Sequence, residues 1–242
     1  MTETNPIILD ARAVNCSRAS NGGPLAPVRD VSLSILENSL NLLPGNGRGG
    51  EGLLLRLLGL LEMPDRGEIF FRGAATSLLS EDMRADLRSQ RFGYLFAEPF
   101  LLPSFTVVEN VAMPLFKISG VGADEAQRRT HAMLEFAGMG NSGDSPVDRL
   151  THAEQQRVSL ARALVNQPEI LIIENVDAGM AGAELAGFLD LIHRAGSEFG
   201  TTTILTARDR ELLKLTGRVI ELADGAIFHD SQAAVENGGA TV

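Results

Sequence analysis

Short apolar runs alternate along the chain with stretches of helical periodicity. Strand-like runs cover Ser39 to Leu43, Glu68 to Arg72, Ile170 to Ile173, Thr201 to Thr206, Arg218 to Leu222 and Ala226 to His229. Helical spacing of apolar residues covers Leu53 to Glu62 and Glu154 to Asn166. That alternation predicts an α/β fold with a mainly parallel sheet. Ile170-Leu171-Ile172-Ile173 is apolar throughout, as expected for a central strand covered on both faces. From about residue 91 the pattern changes to helices and Gly/Pro-punctuated loops, including a helix over Asp124 to Ala137 and the turn-rich Gly138 to Pro146. The expected organisation is one domain with an α/β core at about 7–90 and 155–229. A helical subdomain is inserted at about 91–154, and a flexible tail follows at about 231–242.

Composition narrows the function classes. A chain of 242 residues that is 44% hydrophobic and 21% charged can bury a core and carries no compositional sign of disorder. Its net charge of -10 argues against neutralising nucleic-acid phosphates or binding an anionic membrane by charge alone. The single cysteine, Cys16, excludes an intrachain disulfide and suits a reducing compartment. The N-terminal MTETNPIILD lacks a basic stretch followed by an apolar core, so no signal peptide is expected. The most apolar run, Leu53 to Leu61, contains Arg56 and falls far short of the roughly 20 residues that span a bilayer. A cytoplasmic protein is expected, with any membrane role peripheral.

Candidate chemistry begins after the strand that ends at Leu43. Gly45-Asn46-Gly47-Arg48-Gly49-Gly50-Glu51-Gly52 leads directly into the apolar helix. A strand, a glycine-rich turn and a helix N-terminus make an anion-binding geometry, because backbone N–H groups and the helix dipole point into the turn. The frame G-x-x-x-x-G is met by Gly45 and Gly50. A working phosphate loop continues with Lys, for the β- and γ-phosphates, and Ser or Thr, for Mg²⁺. Here those positions hold Glu51 and Gly52. A carboxylate about 4 Å from a phosphate charge repels it by roughly 1 to 4 kcal/mol per charge pair. By itself the segment also reads as a simple strand-to-helix turn, with Arg48 as its one positive charge.

Two longer blocks decide between those readings. The stretch from Arg91 to Leu115, RFGYLFAEPFLLPSFTVVENVAMPL, resembles the Q-loop region of ABC transporter ATPases, in particular the branch serving lipoprotein-release, macrolide-export and cell-division permeases. The stretch from Leu150 to Ile173, LTHAEQQRVSLARALVNQPEILII, resembles the signature helix leading into the Walker B strand. With the loop in the expected order, the resemblance covers about residues 7–229. It implies a P-loop NTPase fold of RecA-like type, with a mainly parallel sheet, an antiparallel β edge and an inserted α-helical subdomain.

Carried over residue by residue, the resemblance also implies what is missing. The Q-loop Gln falls on Ala97, and the "LSGGQ" signature falls on Leu150-Thr151-His152-Ala153-Glu154. The Walker B aspartate falls on Glu174 and the catalytic glutamate on Asn175, an amide that cannot take a proton from water. The D-loop aspartate falls on Ala181, the switch histidine on Ala207, and the adenine-stacking aromatic near Arg18. No metal site is expected: Glu174 with Asp177 reads as a loop end or helix cap, and the histidines lack ligand spacing. Scaffold signals persist, since Thr151 with Glu154 forms a capping-box pattern and Val158, Ala161, Leu164 and Val165 form a helical stripe.

The resulting expectation is a pseudo-ATPase: a structural or regulatory subunit docked, through the surface near Ala97 to Asn110, on an integral-membrane permease at the cytoplasmic face of the inner (plasma) membrane. A second nucleotide-binding subunit is the other expected partner, and nucleic acid is not. No cofactor is expected, ATP and Mg²⁺ entering only if the altered site still binds them. Two alternatives stand beside it: the inert half of a heterodimer with an active homologue, and a conventional ATP-hydrolysing subunit with unusual residues.

Overall fold

The computed structural model describes residues 5–17, 19–20, 23–24, 26–117, 121–215 and 217–232. The chain divides into two compact units, Met1–Ala85 with Thr202–Val242, and Asp86–Thr201. The first unit opens with β1 (Ile7–Cys16), the short pair β2 (Ala19–Ser20) and β3 (Gly23–Pro24), then β4 (Val28–Leu36) and β5 (Leu40–Pro44). It continues through α1 (Glu51–Leu58), β6 (Arg66–Phe71) and β7 (Ala74–Ala75). Helix α2 (Glu81–Arg91) leads into the second unit, which carries β8 (Phe92–Leu95), α3 (Val107–Ala112), α4 (Ala123–Phe136), α5 (His152–Leu164), β9 (Ile170–Ile173) and α6 (Gly182–Phe199). The chain then returns to the first unit as β10 (Thr202–Ala207), β11 (Arg218–Ala223) and β12 (Ala226–Asp230).

In the first unit, β4, β1, β6 and β7 form an antiparallel sheet in that order. Along β4, Val28, Val31, Leu33 and Ile35 are buried while Arg29, Asp30 and Ser32 face out, the alternation of a strand with one covered face. A second arrangement in the same unit orders β12, β11, β5 and β10. Strands β10 and β11 flank β5 in parallel, and β12 closes the edge antiparallel to β11. The β11–β12 turn is Asp224-Gly225, with φ of 50° and 88°, the pair of left-handed residues that a tight hairpin turn requires. Strand β10 is buried at every position, as expected of a strand covered on both faces. The α/β class with a mainly parallel sheet and an antiparallel edge is thus the architecture the chain adopts.

Element boundaries moved where local geometry overrode periodicity. The helix expected over Leu53 to Glu62 runs instead from Glu51 to Leu58. It ends early because Leu60 is left-handed, at φ 54°, and both Leu61 N–H and Glu62 N–H donate to the Arg56 carbonyl. Its start is set by Gly50, at φ 103°, a conformation that strongly favours glycine. Five leucines of α1, Leu53, Leu54, Leu55, Leu57 and Leu58, are buried, so the helix is held by packing more than by propensity.

The second unit pairs β8 with β9 in parallel, Phe92 opposite Ile170 and Leu95 opposite Ile173. Helix α5 starts at Thr151, whose hydroxyl accepts from Glu154 N–H at 3.3 Å while the Glu154 carboxylate accepts from Thr151 N–H at 2.8 Å. The capping box read from the sequence is therefore formed. Helix α3 begins with the same device: Thr106 accepts from Glu109 N–H and returns its own N–H to the Glu109 carboxylate at 2.7 Å. Tail residues beyond Gln232 lie outside the described residues.

Two stability outcomes follow. Replacing Thr151 with Ala removes one half of a reciprocal cap and is expected to cost about 1 kcal/mol, lowering Tm by about 2 to 4 °C in calorimetry. Hydrogen bonds from the Thr106 backbone and hydroxyl hold the Glu109 carboxyl below its ordinary range. A carboxylate with a depressed folded pKa adds stability above its unfolded pKa and loses it as pH falls through the folded value. Glu109→Gln is expected to lower Tm at neutral pH, and the difference from wild type to shrink between about pH 5 and about pH 3.

Candidate functional site

The glycine-rich loop joins buried β5 to buried α1, and three of its backbone donors are engaged from within the chain. Gly45 N–H donates to the Ala207 carbonyl at 2.9 Å, Arg48 N–H to Asn46 Oδ1 at 3.2 Å, and Gly47 N–H to Glu51 Oε1 at 2.5 Å. Glu51 is the first residue of α1 and only 3% exposed. Its carboxylate folds back into the turn that precedes it. A Cβ at Gly45 would lie 2.0 Å from Glu51 Oε1, and a Cβ at Gly49 would lie 2.8 Å from Oε2. Gly45 leaves the space in which the carboxylate sits, whereas at Gly49 the Leu222 carbonyl, 2.7 Å from the same Cβ position, is the nearer obstacle. Gly49 and Gly50 are held from outside as well: Gly49 O accepts from Gly225 N–H at 3.0 Å, and a Cβ on Gly50 would meet the Pro27 carbonyl at 2.7 Å.

Sequence reading identified Glu51 as a reversal of charge at the loop. Its burial inside the loop was not legible, because it depends on the positive φ angles of Gly47 (83°) and Gly50 (103°), which turn the side chain back toward Gly47. Ala207, at the end of β10, lies opposite Pro44 and is fully buried; its carbonyl anchors the first residue of the loop. Gly52 has nothing near its Cβ position, so no steric demand explains a glycine there.

The second unit gathers other sequence-identified positions. Glu174 and Asn175 follow β9 directly; Glu174 N–H donates to the Leu95 carbonyl at 2.8 Å, and Asn175 adopts φ 47°. Both are half-buried. Ala97, after β8, is held by its carbonyl, which accepts from Gln156 Nε2 at 2.8 Å. Ala153 and Glu154 lie in the first turn of α5, and Ala181 is the N-cap of α6 with no side-chain cap bond.

His152 does more than start α5. Its Nε2 lies 3.1 Å from the Ala178 carbonyl, in the turn after β9. Gly179 follows at φ 68°, and a Cβ there would come within 2.6 Å of the His152 ring. The ring thus ties the head of α5 to the loop that leads to Ala181. Arg18 lies outside the described residues. Among the described residues no group of three or more His, Cys, Asp or Glu side chains is arranged to hold a metal ion.

Sequence reading missed a polar face on α5. Gln156 donates to the Phe96 and Ala97 carbonyls, Ser159 to Pro99 O at 3.0 Å, and Arg162 to Pro99 O at 2.8 Å and Phe100 O at 2.9 Å. Gln156 and Ser159 are each 1% exposed, and burial lowers the pKa of Arg162. The three residues recur at spacings of three on one helix face, a pattern present in the sequence beside the apolar stripe. They satisfy a run of carbonyls in the segment after β8 that forms no regular ladder.

Comparison with known proteins agrees with this arrangement. Residues 28–176 match the ABC transporter family. The lipoprotein-releasing system ATP-binding protein LolD of Bacteroides fragilis is 31% identical over 206 residues, covering 85% of this chain and 95% of that protein. The dimeric ATP-binding cassette MJ0796, solved in a post-hydrolysis state with ADP and Pi, superposes with a TM-score of 0.82 at 24% identity, over 93% of this chain and 98% of that one. CbiO1 of Clostridium perfringens superposes with a TM-score of 0.83 at 21% identity, over 96% and 91%. Both likenesses establish the fold. Family match, relative and fold together make this chain a member of the ABC transporter family, an ATP-binding subunit of the LolD-like type.

Proposed function

We propose that this subunit is a pseudo-ATPase, a structural or regulatory partner of a membrane permease that has kept the cassette scaffold and lost its chemistry. The observation that carries the reading is Asn175 directly after β9, where the family resemblance puts the general base. A carboxamide takes no proton from an attacking water. Ala97 and Ala207 stand at the positions of the Q-loop glutamine and switch histidine, and neither methyl group can orient water or stabilise charge. Glu51 adds a buried negative charge at the position of the phosphate-binding lysine. Positioning, charge stabilisation and proton transfer are then all missing from this chain.

The surface near Ala97 to Asn110 suits the docking role. Phe100 is 67% exposed and Phe105 38% exposed, with Phe116 further along at 79%. Exposed aromatic side chains held on a braced segment are what an apolar partner surface engages. The segment is braced by the polar face of α5. No helix among the described residues is long and apolar enough to cross a membrane. The chain's relatives include the ATP-binding protein of a lipoprotein-releasing system, a dimeric cassette and a part of an ABC transporter complex, which supports a transporter's membrane subunit and a second cassette as partners; the cytoplasmic face of the inner (plasma) membrane is where that role would place this chain.

The reading is tested on the purified chain and in native membranes. Isothermal titration with Mg-ATP is expected to give no micromolar binding, and phosphate release to stay at the level of a blank. Affinity purification from native membranes is expected to recover an integral-membrane permease. Micromolar binding with steady turnover by the wild-type chain would restore the conventional subunit, and turnover only in the presence of a co-purified homologue would favour the heterodimer.

A further inference from the structure

We propose that the carboxylate of Glu51 is a tethered occupant of the phosphate loop, sitting where a phosphate group would sit and holding the loop closed with no added ligand. The proposal rests on the reading of the chain as a degenerate cassette and says how its loop is regulated.

A charge reversal alone would leave the loop's interior open and merely repulsive. The geometry goes further. At 3% exposure the Glu51 side chain is out of solvent, and a buried carboxylate needs donors. It takes one from Gly47 N–H at 2.5 Å. As the first residue of α1 it also lies at the positive end of that helix, whose N-cap, Gly50, offers no side-chain cap. The space it fills is the interior of the turn: Oε1 lies 2.0 Å from where a side chain on Gly45 would begin, and Oε2 2.8 Å from the same point on Gly49.

An incoming phosphate therefore meets a filled cradle. It needs the same volume, the Gly47 N–H and the helix end, so it has to expel the carboxylate as well as overcome its charge. Gly45 N–H and Arg48 N–H are already engaged, by Ala207 O and Asn46 Oδ1. The loop as it stands does not fit a phosphate. Substituting Glu51 by a residue without an acceptor opens a latent anion site in an otherwise unchanged turn.

Inorganic pyrophosphate is the probe, read by thermal unfolding of the full chain. Wild type is expected to show no Tm shift at millimolar pyrophosphate. Glu51→Ala is expected to unfold at lower temperature without pyrophosphate and to gain about 3 to 5 °C at ten times its dissociation constant. Glu51→Gln keeps both the volume and an acceptor for Gly47 N–H, and is expected to stay closed like wild type.

Three results would overturn the proposal: a wild-type shift as large as that of Glu51→Ala, no shift in folded Glu51→Ala, or full opening by Glu51→Gln, which would make charge and not occupancy the cause. Should Glu51→Ala fail to fold, hydrogen exchange on the wild type decides. The Gly47 amide is expected to be protected without nucleotide, and exchange at the unprotected rate would sink the idea. Phosphate release keeps the two readings apart. A Glu51→Ala chain that binds pyrophosphate and hydrolyses ATP would refute the pseudo-ATPase reading while leaving the occupied loop standing. A chain that does neither would refute only the occupied loop.

Discussion

The turn between β5 and α1 must take the chain from one buried element into another within residues 45–50, and it does so where backbone N–H groups have no helical or ladder partner. How those donors are satisfied governs the rest of the site. Three of them, on Gly45, Gly47 and Arg48, are satisfied internally, by the Ala207 carbonyl, the Glu51 carboxylate and the Asn46 side chain. A Cβ at 45 would fall on the Glu51 carboxylate and one at 49 on the Leu222 carbonyl as well as that carboxylate, while glycine at 50 is required both by its φ of 103° and by the Pro27 carbonyl beside it.

The second unit solves a different accounting problem. The segment after β8 carries carbonyls that enter no ladder, and α5 meets them with Gln156, Ser159 and Arg162 on one face. Each buried side-chain donor there is worth about 1 kcal/mol net when paired, and leaving its partner unsatisfied costs about 1 to 3 kcal/mol. This explains how Ala97 can stand in the segment without loosening it: the fold uses the carbonyl of Ala97, and the identity of its side chain is free to change.

Much of the fold was legible because packing left a period in the sequence. The continuous apolar run Ile170 to Ile173, the parallel strands near residues 40 and 202, and the Thr151/Glu154 cap all reappear. Strand β1 was not read: register shifts between Ala11 and Val14 and again between Val14 and Cys16, with Ala13 at φ 48°, erase the two-residue period. Helix α1 was placed too far along the chain, because the left-handed turn at Leu60 leaves the apolar pattern intact while ending the hydrogen bonds. At the site, residue identities were legible and their conformations were not. Glu51 was readable as a charge, and His152 as part of the signature segment. Their contacts with Gly47 and Ala178 depend on left-handed glycines at 47, 50 and 179 that no periodicity reports.

Three helix starts in this chain place the same demand on the backbone and meet it in two ways. Helices α3 and α5 each begin with a threonine and a glutamate three residues on, which exchange hydrogen bonds and close the end. Helix α1 begins with a glycine that caps nothing, and its anion comes from the residue after the cap, reaching backward across the turn to Gly47. In a nucleotide-binding cassette that open start is where an external anion belongs. A glutamate at the first helical position answers the same electrostatic need from inside the chain, since the helix end favours a negative charge whatever its source. In this chain that negative side chain is Glu51, buried at the first position of α1 and accepting from Gly47 N–H.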